Sequence, residues 1–198
     1  MQINIDKKTG AFLAIIAALV LVIAFISFGS GRGGHDGKHD MGMHGGDKKK
    51  SSMNGSDQMF LQMMIPHHEQ AIEMADLALA KSKNSEVLKL SQQIKDGQSA
   101  EIVSMKSWLQ DAGASEDMGH EMDHGMGGMM TAEELASLKS ATGKEFDRQF
   151  LTSMIAHHEG ALHMVMMIKD SEDSNLRTLY QNIVKTQSDE IEWMKRVL

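Results

Sequence analysis

The sequence contains no cysteine, so a disulfide framework, a thiolate metal site and a cysteine nucleophile are all excluded. Proline occurs once, and aromatic residues make up only 5% of the chain. Acidic residues outnumber basic ones, and the net charge of -7 argues against nucleic acid as the main partner, because binding to phosphates requires a basic surface. Methionine and histidine are abundant instead, with 19 and 10 copies. Since methionine far exceeds its usual share, core filling alone explains it poorly and a chemical role is indicated.

The N-terminal part contains an uncharged apolar stretch, AFLAIIAALVLVIAFISF, at residues 11–28. As a helix it is roughly 27 Å long, close to the hydrocarbon thickness of a bilayer. We therefore predict a single-pass transmembrane anchor in the cytoplasmic (inner) membrane. The alternative is a cleaved signal sequence ending near Ser27-Phe28-Gly29. Lys7 and Lys8 place residues 1–10 in the cytoplasm by the positive-inside rule, so the bulk of the chain is expected to be periplasmic or extracellular.

The remainder of the chain contains an internal repeat. DQMFLQMMIPHHEQAIEM at 57–74 matches DRQFLTSMIAHHEGALHM at 147–164, and QSAEIVSMKSWL at 98–109 matches QSDEIEWMKRVL at 187–198. Apolar residues recur every three to four positions in each repeat, which predicts one-faced helices. Each repeat is therefore predicted to be a helical hairpin, and the two together an all-α four-helix bundle. The predicted segments are a flexible linker at 29–56, a first hairpin at 57–111, a Met/His-rich loop at 112–130, a short helix at 131–143 and a second hairpin at 144–198.

The short helix between the hairpins has its own boundary signals. Thr131 and Glu134 have the spacing of a capping box, which predicts where this helix begins. Gly143 is predicted to end it. Pro66 lies inside the first helix of repeat 1 and is expected to bend it just before His67. Ala156 occupies the matching position in repeat 2.

Both repeats place His-His-Glu on the apolar face of a predicted helix. Burying an imidazole or carboxylate is unfavourable unless the group is paired or ligated, and this chain does so twice. The candidate metal ligands in the helices are Met64, His67, His68, Met74, Glu101 and Met105 in repeat 1 and Met154, His157, His158, His163, Met164, Glu190 and Met194 in repeat 2. Thioether with imidazole suits Cu(I), and imidazole also accepts Cu(II). Two alternatives stay open: the glutamates could orient a histidine rather than bind metal, and the helical methionines could simply fill the core.

Two glycine-rich segments provide a second, independent signal. They combine methionine and histidine where there is no core to fill, so packing does not explain them. Metal binding is the natural interpretation, and the alternative is low complexity without function. The candidate ligands are His35, His39, Met41, Met43 and His44 in the first segment and Met118, His120, Met122, His124 and Met126 in the second.

The two repeats lack the catalytic patterns expected of helical metalloenzymes. Neither repeat contains the Glu-x-x-His spacing of di-iron bundles, and neither continues as the His-Glu-x-x-His of zinc proteases, because Ile72 follows His68-Glu69 and Leu162 follows His158-Glu159 at the position of the second histidine. There is no phosphate-binding glycine loop and no nucleophile elbow. We therefore expect a protein that is not an enzyme.

The segments FLQMMIPHHEQAIEMA and FDRQFLTSMIAHHEGALHM, with their paired QSxEIxxMKxxL tails, resemble the domain-of-unknown-function 305 family over roughly residues 57–198. Better-studied members of that family bind copper. The resemblance implies a ferritin-like four-helix bundle, an exported location and a part in copper tolerance. By position, the residues that match the family motif are Met64, His67, His68, Met74, Met154, His157, His158 and Met164.

The leading hypothesis is an exported, membrane-anchored protein that sequesters or delivers Cu(I), with Cu(II) and Ag(I) as further candidate ions and a copper transporter or chaperone as candidate partner. The alternative belongs to a different class. It is a structural or interaction bundle whose paired histidines are core residues without a metal role.

Overall fold

The computed structural model describes residues 53–118 and 127–198, and all regular structure within these ranges is helical. The helices are α1 (Gly55–Lys81), α2 (Ser85–Asp111), α3 (Ala132–Ser140), α4 (Gly143–Met164) and α5 (Ser174–Val197), with a 3-10 turn at Val165–Ile168 between α4 and α5. The all-α prediction is confirmed. The predicted anchor at 11–28 and the linker lie outside the described residues, apart from the linker's last positions. Among the helices of the described ranges, none has the length and apolarity needed to cross a bilayer.

Side-chain caps account for the starts of α1, α2, α3 and α5. Asn54 caps α1 and forms a reciprocal capping box with Asp57. The predicted capping box of α3 is confirmed, because Thr131 accepts from the Glu134 backbone N–H and Glu134 accepts from that of Thr131. The prediction that Gly143 ends α3 is wrong. Helix α3 ends at Ser140, and Gly143, with φ of 60°, is the first residue of α4, where the positive φ turns the chain into the next helix.

Pro66 lies within α1 without interrupting it. The helix is continuous from Gly55 to Lys81 although proline removes one backbone hydrogen bond. Helix α1 packs against α2 and α4, and its residues on both sides of this proline belong to the apolar core.

Two hairpins, α1 with α2 and α4 with α5, pack together through α1 and α4. Their apolar side chains form two separate clusters. Cluster A joins the N-terminal halves of α1 and α5 with the C-terminal halves of α2 and α4, whereas cluster B joins the opposite halves. Helices α1 and α4 must therefore run antiparallel, and the two repeats are related by an approximate two-fold axis.

A layer of polar residues, buried except for the half-buried Glu101, separates the two clusters on all four long helices. We call it the histidine layer, and it consists of His67 and His68 on α1, Gln98 and Glu101 on α2, His157 and His158 on α4, and Gln187 and Glu190 on α5. In α1, for example, cluster A ends at Ile65 and cluster B begins at Ala71. The fold thus places eight polar side chains between two apolar clusters.

Candidate metal centre

The four histidines of the layer are buried, with side chains at most 1% exposed. His67 and His157, which are equivalent in the repeat, face each other across the α1–α4 contact with ring centroids 3.8 Å apart and planes inclined at 42°. The rings of His157 and His158 have centroids 6.3 Å apart. The antiparallel crossing of α1 and α4 therefore brings the histidines of both repeats into one place.

Each glutamate of the layer binds a histidine within its own hairpin. Nε2 of His68 lies 2.7 Å from Oε2 of Glu101, and Nε2 of His158 lies 2.7 Å from Oε2 of Glu190. A carboxylate accepts here and the imidazole Nε2–H donates, so Nδ1 is the nitrogen that carries the lone pair whenever the ring is neutral. This geometry favours an orienting role for the glutamates over direct ligation. It is the carboxylate–histidine arrangement that accompanies metal-binding histidines in many proteins.

Several buried polar atoms of the described residues make no hydrogen bond. They include Nδ1 of His67, His68 and His158 and both ring nitrogens of His157. Oε1 of Gln98 and Oε1 of Gln187 are also buried without a hydrogen bond. A buried polar atom without a partner destabilises the fold by about 1–3 kcal/mol. Packing alone does not explain why so many buried polar atoms without hydrogen bonds lie in one layer.

The two facing histidines are held neutral. Burial lowers the pKa of His67 to about 4, the neighbouring His68 acts in the same direction, and a hydrogen bond to the Gly127 carbonyl opposes the shift. Burial also holds the pKa of His157 well below its usual value; the adjacent histidines add to this, and the backbone of His67 opposes it in part. Neutral imidazole is the form that binds metal, so both rings are ready for ligation near neutral pH.

The six predicted helical methionines are all buried and divide evenly between the two clusters. Met64, Met105 and Met164 lie in cluster A, and Met74, Met154 and Met194 lie in cluster B. The thioethers thus pack in the apolar regions on both sides of the histidine layer. Packing accounts for their burial, and soft donors are present in each half of the interior.

The other predicted ligands are not brought to the layer by the described structure. His163 is exposed on α4, because it lies off the buried stripe that runs through His157, Ala161 and Met164. Met118 is half-buried at the edge of the described range. In the described parts of the chain, no three side chains of histidine, aspartate or glutamate are grouped so that they could hold a metal ion. The candidates outside the described residues are His35, His39, Met41, Met43, His44, His120, Met122, His124 and Met126.

The sequence did not indicate the residues that hold the end of the inter-hairpin segment, residues 127–130, against the histidine layer. The carbonyl of Gly127 accepts a hydrogen bond from Nε2 of His67 at 3.1 Å. Gln70 binds the backbone of Met130 twice, and the backbones of Gly127 and Gly160 are in close contact. The one available signal was Gly160, a glycine inside a helix where the other repeat has Gln70. An unexplained helical glycine often marks a close backbone approach.

The comparison with protein families identifies the chain. A family model described as Domain of unknown function (DUF305) matches residues 57–198. The chain belongs to this family. The resemblance carried by the paired His-His-Glu motifs is thereby confirmed.

Solved DUF305 structures share the fold. A DUF305 fragment from Deinococcus radiodurans is 31% identical, covers 73% of this chain and 95% of its own, and has a TM-score of 0.68. CopM in the Cu(II)-bound form is 38% identical, covers 73% and 96%, and has a TM-score of 0.63. CopM in the Cu(I)-bound form is 36% identical, covers 71% and 93%, and has a TM-score of 0.60. A comparison with curated protein sequences finds no match.

The donors in the interior of this DUF305 bundle fit a soft cation. Among the described residues, the buried donors are imidazole nitrogens without partners, thioethers and the amide oxygens of Gln98 and Gln187, while the two carboxylates of the layer are already used by histidines. Nitrogen and thioether donors select monovalent copper over Mg²⁺ or Ca²⁺, which prefer oxygen.

Lowering the pH should destabilise the metal-free DUF305 protein. In the unfolded chain a histidine takes up its proton near pH 6.5, whereas folded His67 does so only near 4. The free energy of unfolding is therefore highest above pH 6.5 and decreases as the pH falls toward 4. His67 alone should remove about 2 kcal/mol between pH 6.5 and pH 5, and His157 acts in the same direction. Urea unfolding at pH 7, 6 and 5 measures this loss.

The control for this pH dependence is a pair of substitutions. His67→Gln should flatten the decline, whereas His163→Gln, at an exposed position of α4, should keep the wild-type dependence. A decline of the same size in both variants would contradict the assignment to His67.

Proposed function

We propose that this DUF305 protein binds copper in its histidine layer, with Cu(I) as the preferred ion and Cu(II) and Ag(I) as further ligands. The observation that carries the proposal is the set of buried imidazole nitrogens from both repeats that have no hydrogen-bond partner among the described residues. Such atoms destabilise a bundle without a metal and become ligands with one. The likeness to CopM in Cu(I)-, Cu(II)- and Ag-bound forms supports the same conclusion.

The arrangement of the layer supports a division of roles. Nδ1 is the donor atom of His68 and His158, because Nε2 of each is used by a glutamate. Glu101 and Glu190 orient these rings and strengthen them as donors. Methionines of clusters A and B are the further ligands available to a monovalent ion, since they pack on both sides of the layer.

In the cell, we propose a role outside the cytoplasm. The apolar segment at 11–28 anchors the chain in the cytoplasmic membrane, with the bundle on the periplasmic or extracellular side. The protein holds copper there or passes it to a copper transporter or chaperone, and it catalyses no reaction. The Met/His-rich segments of the sequence support capture of the ion from solution.

Competition for Cu(I) against a chelator of known affinity tests the proposal. Replacing the facing pair, His67→Leu with His157→Leu, removes two buried donors and should weaken the tightest site at least 100-fold. His163→Leu is the matched control, because it removes an exposed histidine from the same helix as His157, and it should leave that site unchanged. Equal affinity in the wild type and the double variant would contradict a site in the histidine layer.

One observation favours the structural alternative. The His68–Glu101 and His158–Glu190 hydrogen bonds each join the two helices of one hairpin, and so could serve to keep the hairpins in register. A structural role of this kind uses one nitrogen each of His68 and His158 and neither nitrogen of His157. The copper proposal accounts for the remaining nitrogens as well.

A further inference from the structure

The end of the inter-hairpin segment, residues 127–130, lies across α1 and α4 at the level of the histidine layer. A Cβ on Gly128, which has φ of 83°, would lie 2.2 Å from the carbonyl oxygen of Ala156 and 2.9 Å from the Cα of His157. The segment therefore rests directly on the backbone of α4 beside a layer histidine. No side chain longer than hydrogen fits between them.

Two positions that are equivalent in the repeat hold this segment. Gln70 and Gly160 each follow His-His-Glu, and they differ completely in chemistry. Gln70 donates from Nε2 to the Met130 carbonyl at 2.9 Å and accepts at Oε1 from the Met130 N–H at 2.7 Å. Gly160 has no side chain, and a Cβ there would lie 1.7 Å from the Gly127 carbonyl oxygen. Repeat 1 thus binds the segment through Gln70, while repeat 2 leaves space for it at Gly160.

The result of this docking is a hydrogen bond to His67. The Gly127 carbonyl oxygen lies 3.1 Å from Nε2 of His67. A carbonyl can only accept, so Nε2 carries the hydrogen and Nδ1 of the neutral ring carries the lone pair. Nδ1 of His67 is buried and has no hydrogen-bond partner among the described residues. Neither nitrogen of His157, its equivalent, receives such a bond from the segment 127–130.

We propose that Gln70 and Gly160 are positioning residues, which fix the segment 127–130 so that the Gly127 carbonyl holds His67 in its Nε2–H tautomer and presents Nδ1 to the metal. The metal part of this statement rests on the proposed copper binding. The docking makes the two repeats inequivalent, because the Gly127 carbonyl fixes the ring of His67 before metal binds, whereas the equivalent ring of His157 has no bond to the segment 127–130.

The test reads the tautomer of His67 in the metal-free, full-length protein by two-bond ¹H–¹⁵N correlation of histidine rings near pH 7.5. The wild type should show His67 with protonated Nε2 and bare Nδ1. Gly160→Ala should displace the Gly127 carbonyl and give a mixture of both tautomers. Gly97→Ala is the matched control, because Gly97 is also inside a helix but has nothing within 4 Å of a Cβ, and it should leave the spectrum of His67 unchanged.

A second variant guards against a global effect of the Gly160 substitution. Gln70→Ala removes both hydrogen bonds to Met130 without adding bulk, and should shift the tautomer in the same direction. Its control is Gln92→Ala, which removes only an exposed hydrogen bond to Asp96 on the same helix. Both positioning variants should also weaken silver binding, measured by competition titration, by about 10- to 100-fold, the usual effect of losing a group that orients a metal ligand.

The outcomes separate this proposal from the copper proposal. An unchanged His67 tautomer in both Gly160→Ala and Gln70→Ala would overturn the positioning role even if the wild type binds silver tightly. A changed tautomer with unchanged silver affinity would also overturn it. A wild type with the expected tautomer that binds no silver would refute the copper proposal instead, and with it the metal part of the positioning role.

Discussion

Saturating silver ion should raise the midpoint of thermal unfolding of this protein by roughly 8–16 °C. A ligand at about a thousand times its dissociation constant that binds only the folded state adds about 4 kcal/mol to the free energy of unfolding. In a chain of this size each kcal/mol shifts the midpoint by roughly 2–4 °C. The histidine layer meets the condition, because its residues come from four helices and meet only in the folded bundle. Circular dichroism at increasing temperature in chloride-free buffer, with and without silver, measures the shift.

The His67→Leu, His157→Leu variant should lose most of this shift, whereas His163→Leu should keep it. Sites formed by ligands close together in sequence can bind silver in the unfolded chain too, and such sites move the midpoint little. The shift therefore reports on the bundle interior rather than on the Met/His-rich segments. An unchanged midpoint at saturating silver would favour the structural bundle over a metal-binding one.

The repeat made most of the fold predictable from the sequence. Apolar spacing and the duplicated His-His-Glu motif indicated which helix faces are buried; the four histidines and Glu190 are buried there as predicted, and Glu101 is half-buried. The capping box at Thr131 also predicted a helix start correctly, since its signal is local. Periodicity and caps are properties of a few consecutive residues, so one sequence is enough to read them.

His163 shows how the same periodicity was applied too loosely. It lies five residues after His158 and six after His157, which turns it away from the buried stripe, and it is exposed. Its inclusion rested on residue type rather than on its position around the helix. A stricter use of the 3.6-residue period would have left it out.

The position of the inter-hairpin segment against α1 and α4 could not be predicted from the sequence. Gln70 and Met130 are 60 residues apart, and no pattern in a glycine-rich segment indicates where its end will lie. Which nitrogen of His67 donates a hydrogen bond also depends on that contact. Such long-range pairings are decided by the packing of whole hairpins, which a single sequence does not encode locally.

Replacing the His158–Glu190 pair should have opposite effects on the metal-free protein depending on whether one or both residues change. Both side chains are almost completely buried, at 0% and 3% exposure. Glu190→Met alone leaves the Nε2–H of His158 without an acceptor and should lower the free energy of unfolding by about 1–3 kcal/mol. His158→Leu with Glu190→Met removes both polar groups, and such swaps are neutral or stabilising by about 1–4 kcal/mol. Urea unfolding of the two single variants and the double variant measures the coupling.

The exposed Lys195–Glu159 pair, at 2.8 Å, provides the control, because its loss should change the stability by no more than about 1 kcal/mol. If the double variant is more stable than the wild type and yet shows a smaller silver-induced shift, the pair contributes to binding at the expense of stability. If the double variant is as unstable as Glu190→Met, the pair instead holds the hairpin in register. The buried pair then has a structural role, and the case for copper would rest on His67 and His157 alone.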